Sequence, residues 1–246
     1  MTIMQKQVNP SIKYVLLLFT CCMLLTSCGV FQKSAKKELN DGFYTQRIDH
    51  QKKRVYIDLA EDNLRIHATQ KINRQLIVDT TIKTLIFPKE MKGVYEETAS
   101  FNKASFDIDF FTIPLKLRPP QKNVPAQLNG NLNGAVYLGF RTDKYVVNYT
   151  PSPLRKSTRH INHFGFSIGA FTGLGNTFLS PTNTDSVLQQ EYDGIVWNKG
   201  LAVIFAINHF TVGLALGFDN LLDKNNNIWI YESKPWLGLA LGLNLN

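Results

Sequence analysis

Cysteine is almost absent from this chain of 246 residues, which contains only Cys21, Cys22 and Cys28. All three lie near the N-terminus, and residues 29–246 contain none. The sequence therefore excludes an internal disulfide framework and a thiolate metal site after position 28. A long chain without further thiols is typical of an exported protein that avoids redox chemistry.

Charge is scarce in one half of the chain. Only 4 of the 57 residues from 162 to 218 are charged, compared with 14 of the 40 residues from 31 to 70. An ordinary water-exposed surface is rich in charged side chains, so the scarcity of charge in this half predicts a surface that does not face water alone. We place a boundary near residue 100 and predict a small periplasmic β module at 41–100 and a second domain at 101–246.

The familiar catalytic motifs are also missing. The sequence contains no phosphate loop, no Cys-x-x-Cys and no His-Glu-x-x-His. Gly165-Phe166-Ser167-Ile168-Gly169 matches the hydrolase string G-x-S-x-G, but that elbow needs a strand, a sharp turn and a helix, whereas here the string lies in a strand pattern. His160 and His163 are three residues apart without a third ligand nearby. We expect a non-catalytic protein with no cofactor and no metal.

The N-terminus has the order of parts of a secretion signal. Lys6 and Lys13 precede an uncharged run of twelve residues from Tyr14 to Leu25. Thr26, Ser27 and Cys28 follow this run directly. A membrane-spanning helix takes about 18–20 apolar residues, so this run is too short to be one. The pattern predicts export.

The tetrapeptide Leu25-Thr26-Ser27-Cys28 resembles the lipobox of bacterial lipoproteins. The resemblance implies a signal peptide at 1–27 that is removed, and acylation of the Cys28 thiol, with palmitate as the expected label. Gly29 stands where Asp often signals inner-membrane retention, so the resemblance implies the outer membrane of a Gram-negative bacterium. Residues 28–40, rich in Gln, Ser and Lys, are predicted to form a tether.

The module at 41–100 is predicted to be β-rich. Residues 54–59 and 64–69 alternate between apolar and polar side chains and flank the polar segment 60–63, which is the pattern of a hairpin. Residues 75–80 and 84–87 are predicted to add strands, the second of which ends at Pro88.

The domain at 101–246 has a period-two pattern whose two faces differ in size. One face carries large apolar residues and the other carries Gly, Ala and Ser, as in Trp236–Asn246, 211–218 and 164–169. A soluble sheet would carry charged residues opposite its core, whereas a transmembrane barrel has an apolar exterior and a crowded interior. Lys116, Arg118 and Arg141, with Asp107 and Asp109 nearby, are predicted to be interior charges, with mouth or loop positions as the alternative.

The pattern predicts an all-β fold in which the small module precedes an antiparallel, roughly eight-stranded barrel-like domain. Short links are expected at Asp143-Lys144, Asn208-His209 and Ser233-Lys234-Pro235. These links do not fall on one side of such a barrel, so at least one strand is missed or false.

Two further segments carry a second resemblance. Phe106-Asp107-Ile108-Asp109, followed by Leu115-Lys116-Leu117-Arg118-Pro119, resembles the opening strand of outer-membrane barrel proteins of Gram-negative bacteria. Trp229-Ile230-Tyr231, followed by Lys234-Pro235-Trp236-Leu237-Gly238, resembles the end of poorly characterised envelope proteins of that kind. The resemblance covers roughly residues 104–246 and implies no known activity.

The combined expectation is an outer-membrane lipoprotein with a role in envelope structure, assembly or narrow passage. Its partners are predicted to be the lipid bilayer, through acylated Cys28 and the apolar strands, and other envelope proteins, but not nucleic acid. The alternative is a soluble periplasmic lipocalin-like lipoprotein whose Leu rows face a lipid ligand. A third interpretation is a Ser hydrolase that uses Ser167.

Overall fold

The computed structural model describes residues 38–48, 50–60, 63–88, 97–151, 157–208 and 210–243. Within these ranges regular structure consists of twelve β-strands and two single-turn 3-10 helices, at Pro181–Asn183 and Asn226–Ile228. The all-β class is confirmed. In the same ranges no helix is both long and apolar enough to cross a membrane. The strands are β1 (Gly42–Ile48), β2 (Gln51–Leu59), β3 (Leu64–Ile72), β4 (Gln75–Val78), β5 (Leu85–Phe87), β6 (Glu97–Arg118), β7 (Gln127–Gly130), β8 (Asn133–Pro151), β9 (Ser157–Leu179), β10 (Tyr192–Ile207), β11 (Phe210–Leu221) and β12 (Pro235–Leu243).

Six strands pair in a cycle and form the barrel-like domain. The order β6-β8-β9-β10-β11-β12 is antiparallel throughout, and β12 pairs back with β6. The closure is partial, because β12 pairs only with positions 110–117 of β6, while β1 pairs with the same strand at Phe101 and Asn102. The sequence prediction of an antiparallel, barrel-like domain is thus confirmed. One edge of β6 is shared between β1 and β12.

The cycle contains fewer strands than the roughly eight expected, because some strands are longer than the sequence suggested. A link was expected at Asp143-Lys144, but β8 runs through this pair as one strand of 19 residues. Asp143 is buried and Lys144 is exposed, so the two charges continue the alternation of the strand instead of ending it. The segment 228–232 adds no strand, because it is the end of a 3-10 helix and a turn.

The link expected at Asn208-His209 is present. Ile207 of β10 and Phe210 of β11 are direct partners across the ladder, so a two-residue connection joins the strands. Asn208 has φ of 50°, in the left-handed region where asparagine is enriched and which such tight hairpins use. His209 itself lies outside the described residues.

The hairpin predicted from residues 54–69 is confirmed as β2 and β3, which pair from Val55↔Ala68 to Leu59↔Leu64. Its core also contains side chains from the long strands, among them Phe101 of β6 and Val147 of β8. β6 crosses the boundary expected near residue 100 without a break. The module and the barrel-like domain therefore share strands, and the division into 41–100 and 101–246 stays a prediction.

Glycine lets neighbouring strands approach closely inside the barrel. Gly139 of β8 and Gly169 of β9 are direct ladder partners. A Cβ at Gly169 would lie 2.1 Å from the carbonyl oxygen of Leu138, which no side chain can tolerate without backbone movement. The small residues on one face of these strands are thus explained by a crowded interior.

Candidate functional site

The exterior of the six-stranded cycle is an exposed apolar surface, which we call the belt. Its members are large hydrophobic side chains that alternate with buried residues, so the outward direction predicted for the large residues is observed in 164–169, in 211–218 and in the described part of Trp236–Asn246. Phe111 and Ile113, which a strict alternation along β6 puts on the same face as Leu115 and Leu117, are buried instead. Leu201 is 62% exposed and Leu214 is 52% exposed, although leucine is normally buried in water-soluble domains. The belt comprises Phe106, Ile108, Phe110, Leu115, Leu117, Val136, Leu138, Phe140, Phe164, Phe166, Ile168, Leu174, Ile195, Trp197, Leu201, Phe205, Ile207, Phe210, Val212, Leu214, Leu216, Phe218, Leu237 and Leu241.

The belt is continuous around the cycle. From Phe106 the ladder partners follow as one apolar row that returns to β6 at Leu115. The return is nine residues further along β6, from position 106 to position 115, which is the kind of stagger that closing a barrel requires. The row is Phe106, Phe140, Ile168, Val203, Leu214, Leu239 and Leu115, in which the half-buried Val203 and Leu239 connect exposed members of the belt.

The belt has the height of a bilayer's apolar band. On β9 it extends over the eleven residues from Phe164 to Leu174, or about 33 Å along a strand. With the ~45° tilt of a membrane strand this span is about 23 Å high, against about 25 Å for the apolar band of outer-membrane barrels.

An aromatic and cationic pair lies near one edge of the belt. The indole Nε1 of Trp197 donates a hydrogen bond to Thr172 Oγ1 at 2.7 Å. The ammonium of Lys199 lies 4.0 Å from the centroid of the Trp197 ring. Tryptophan with a satisfied N–H and lysine with an apolar stem are the residue types that lie where lipid meets water.

Charges occupy the interior instead, and the first group is the Asp219 cluster. Lys116 Nζ donates to both carboxylate oxygens of Asp219, at 2.9 and 3.0 Å, and Arg118 Nη2 donates to the same carboxylate. All three side chains are almost fully buried. Trp236 packs on the ammonium of Lys116, and Trp229 packs on the Arg118 guanidinium. Burial in such surroundings makes each charge dependent on its partner.

The second interior group is the Arg141 cluster. Arg141 Nε donates to Asp143 Oδ1 at 2.8 Å, and its Nη1 lies 3.9 Å from Asp107 Oδ2. His163 Nε2 is 2.7 Å from Asp143 Oδ1. All four side chains are buried, so the predicted interior position of Asp107 and Arg141 is observed, as it is for Lys116 and Arg118 above. Asp109 lies half-buried on the same face of β6.

Large apolar side chains fill the interior between the two clusters. Phe111, Tyr137 and Phe171 contact one another, and Phe171 also contacts Trp236. Phe111, Tyr137 and Trp236 are at most 2% exposed. A small barrel packed in this way is a solid core rather than a wide channel.

Ser167 lies within β9, not on a strand-to-helix elbow. Its Oγ is 2.8 Å from the hydroxyl of Tyr137 in the barrel interior. His163 lies on the same face four residues earlier, which places the two side chains about 13 Å apart along the strand. The geometry required for a serine activated by a neighbouring histidine is therefore not met by this pair.

We expect Ser167→Ala to leave any esterase activity of the purified protein unchanged, because the hydroxyl bonds only to a structural tyrosine. The measurement is hydrolysis of a p-nitrophenyl ester, with Ser105→Ala, an exposed serine on β6, as the matched control. A loss of more than tenfold that is specific to Ser167→Ala would restore the hydrolase interpretation.

The histidine pair does not form a site. His160 is exposed and His163 is buried, because residues three apart point to opposite faces of β9. Among the described residues, no group of three or more His, Cys, Asp or Glu side chains is arranged to hold a metal ion.

The lipocalin-like alternative required the Leu rows to face an enclosed ligand. The structure places the row of β12 outward, since Leu237 and Leu241 are exposed while Trp236 and Ala240 are buried. The premise of that cup is therefore not met by the described strands. Cys28, the signal at 1–27 and almost all of the tether at 28–40 lie outside the described residues, so these predictions stay predictions.

Sequence reasoning missed Asp219, Asp143 and His163. For Asp219 a signal was present, because it follows Gly213, Ala215 and Gly217 on the small-residue face of β11. A charge that continues that face is an interior charge. For Asp143 the signal was misinterpreted as a turn.

The chain matches no known family model, no curated protein and no solved structure at a significant level.

Proposed function

We propose that this protein is an outer-membrane lipoprotein of a Gram-negative bacterium whose barrel-like domain is embedded in lipid and has a structural or assembly role without catalysis. Cys28 carries the acyl anchor in this proposal. The barrel interior is filled by aromatic side chains and ion pairs, which supports a structural or assembly role over passage of solutes.

The observation that carries the proposal is the inverted polarity of the cycle. Eleven buried polar or charged side chains on its strands, among them Asp219 and Arg141, lie inside it, while the belt outside consists of apolar side chains from every strand. Monomeric soluble proteins rarely expose contiguous apolar patches larger than a few hundred Å². A lipid bilayer is the environment in which a β-barrel with an apolar exterior and a polar interior is stable.

Spin labelling tests this proposal directly. Because residues 29–246 contain no cysteine, Leu201→Cys in the belt and Gln190→Cys in a loop can each be labelled selectively. In protein reconstituted into vesicles, we expect the label at 201 to be relaxed by oxygen, which concentrates in lipid, and the label at 190 by a water-soluble nickel chelate. Equal access of the chelate to both positions would contradict membrane insertion.

For the anchor, we expect Cys28→Ala to abolish palmitate labelling and to leave an uncleaved precursor, since the thiol is both the acylated group and the cleavage determinant of a lipobox. The measurement is metabolic labelling followed by gel electrophoresis, with Cys22→Ala as the control that keeps both label and cleavage. Label that persists on Cys28→Ala would reject this anchor and leave the barrel proposal standing.

A further inference from the structure

A pocket of about 580 Å³ lies in the N-terminal module, and its described lining residues fall between positions 48 and 85. Its volume falls in the range of about 300–1,000 Å³ that is usual for small-molecule sites. β1, β2, β3, β4 and β5, with the loop before β5, all contribute to the wall. The apolar lining consists of Ile48, Val55, Ile66, Ala68, Leu76, Ile82 and Leu85.

Positive charge surrounds this pocket. Lys53, Lys71, Lys83 and Arg54 belong to its lining, and none of the described lining residues is Asp or Glu. Arg54 donates to Thr45 Oγ1 at 3.1 Å. The three lysines are exposed and have no ion-pair partner among the described residues, and we call them the rim of the pocket.

The acidic residue between β4 and β5, Asp79, is engaged within its own turn. Asp79 Oδ1 accepts hydrogen bonds from the backbone N–H and the hydroxyl of Thr81, at 3.0 and 2.6 Å. These bonds lower the pKa of Asp79, so its carboxylate stays ionised at neutral pH while it is engaged by Thr81. The Asp79 carboxylate therefore does not neutralise the lysines in the place of an anionic ligand.

Aliphatic side chains are left exposed around the pocket. Ile82 and Leu85 are each 54% exposed, and both belong to its lining. An acyl chain lying in the pocket would remove this apolar surface from water, which is favourable at about 25 cal/mol per Å². The aliphatic wall and the lysines together are complementary to a ligand that is apolar along its length and anionic at one end.

We propose that this pocket binds a long-chain fatty acid, with the acyl chain against the aliphatic wall and the carboxylate at the rim of Lys53, Lys71 and Lys83. A sugar phosphate would leave the aliphatic wall uncovered, and a neutral lipid would leave three ammonium groups without a counter-charge. Lysine provides flexible point charges that pair with a carboxylate without demanding one orientation. The proposal concerns the module and does not depend on membrane insertion of the barrel.

The test is photo-crosslinking of the full-length mature protein in nanodiscs of neutral lipid. The probe is a diazirine-bearing fatty acid, and labelled peptides are mapped by mass spectrometry. We expect saturable labelling in the segments 48–55 and 66–85, displaced by oleate but not by oleyl alcohol. Labelling of both segments should weaken at high salt, because the lysines of the rim are exposed and salt screens their attraction for the carboxylate.

Three variants decide between the pocket and non-specific partitioning. The triple change of Lys53, Lys71 and Lys83 to Gln should reduce labelling of the 66–85 segment at least tenfold, and the same three changes to Arg should preserve it. Ala68→Phe should block the pocket while leaving the lysines in place. Labelling confined to the belt strands, equal labelling by the fatty alcohol probe, or labelling unaffected by the Gln variant would each overturn the proposal.

Discussion

Asp219→Asn is expected to be among the most destabilising single substitutions in the barrel interior. The change removes the carboxylate charge that pairs with both Lys116 and Arg118, and leaves two buried cations without a counter-charge. Loss of one partner from a buried ion pair costs about 3–5 kcal/mol. The free energy of unfolding, measured by urea titration of the protein folded in micelles, should fall by this amount.

Two companion variants show whether the effect comes from charge. Asp193→Asn removes an exposed carboxylate on β10 and should change the free energy of unfolding by less than about 0.5 kcal/mol. The triple variant Lys116→Met, Arg118→Met, Asp219→Leu removes all the charges together and should lie much closer to the wild type than Asp219→Asn does. A triple variant less stable than Asp219→Asn would contradict the idea that the unpaired cations cause the loss.

Leu214→Arg is expected to destabilise the protein in lipid by about 2–4 kcal/mol, the cost of an arginine near the bilayer midplane on the outside of a barrel. Leu214 lies in the apolar row that circles the cycle and is 52% exposed. In a water-soluble protein the same change at an exposed position would be nearly neutral. The measurement is unfolding of protein reconstituted into vesicles.

Leu222→Arg is the matched control. Leu222 follows the last residue of β11 and is 56% exposed, so its exposure resembles that of Leu214. At the edge of the belt an arginine costs about 0–1 kcal/mol, because its head group reaches water. Equal and small effects at both positions would contradict the embedded barrel, whereas a large effect at Leu214 alone would support it.

The direction of most side chains was predictable because side chains along a regular strand alternate with a period of two. Leu237 and Leu241 alternate with Gly238 and Ala240 along the sequence, and one face must therefore be large and the other small. Lys116 and Arg118 share one strand face and lie inside as predicted. The alternation of β6 shifts by one residue between Ile113 and Lys116, however, so Phe111 and Ile113 are buried as well. The local pattern did not predict that shift.

The strand count could not be obtained in this way. A charged pair such as Asp143-Lys144 has the composition of a turn, and only the tertiary structure provides the reason for its place in a strand. Asp143 is paired with Arg141 and with His163 of the neighbouring strand, and its burial is tolerable for that reason. A partner 20 residues away in the chain cannot be recognised from the local pattern of residues.

The sequence by itself determined the β class, the two unequal faces of the strands, the hairpin of β2 and β3, and the contrast between a charged and an apolar half, because each depends on residues close together in the chain. Only the tertiary structure decided that six strands form the cycle, that Lys116 and Arg118 meet Asp219, and that a lysine-rimmed pocket lies in the module. Asp219 is 103 residues from Lys116 and pairs with it only because β12 returns to β6 and brings β11 alongside. Such contacts depend on ladder register and closure, which are properties of the whole sheet.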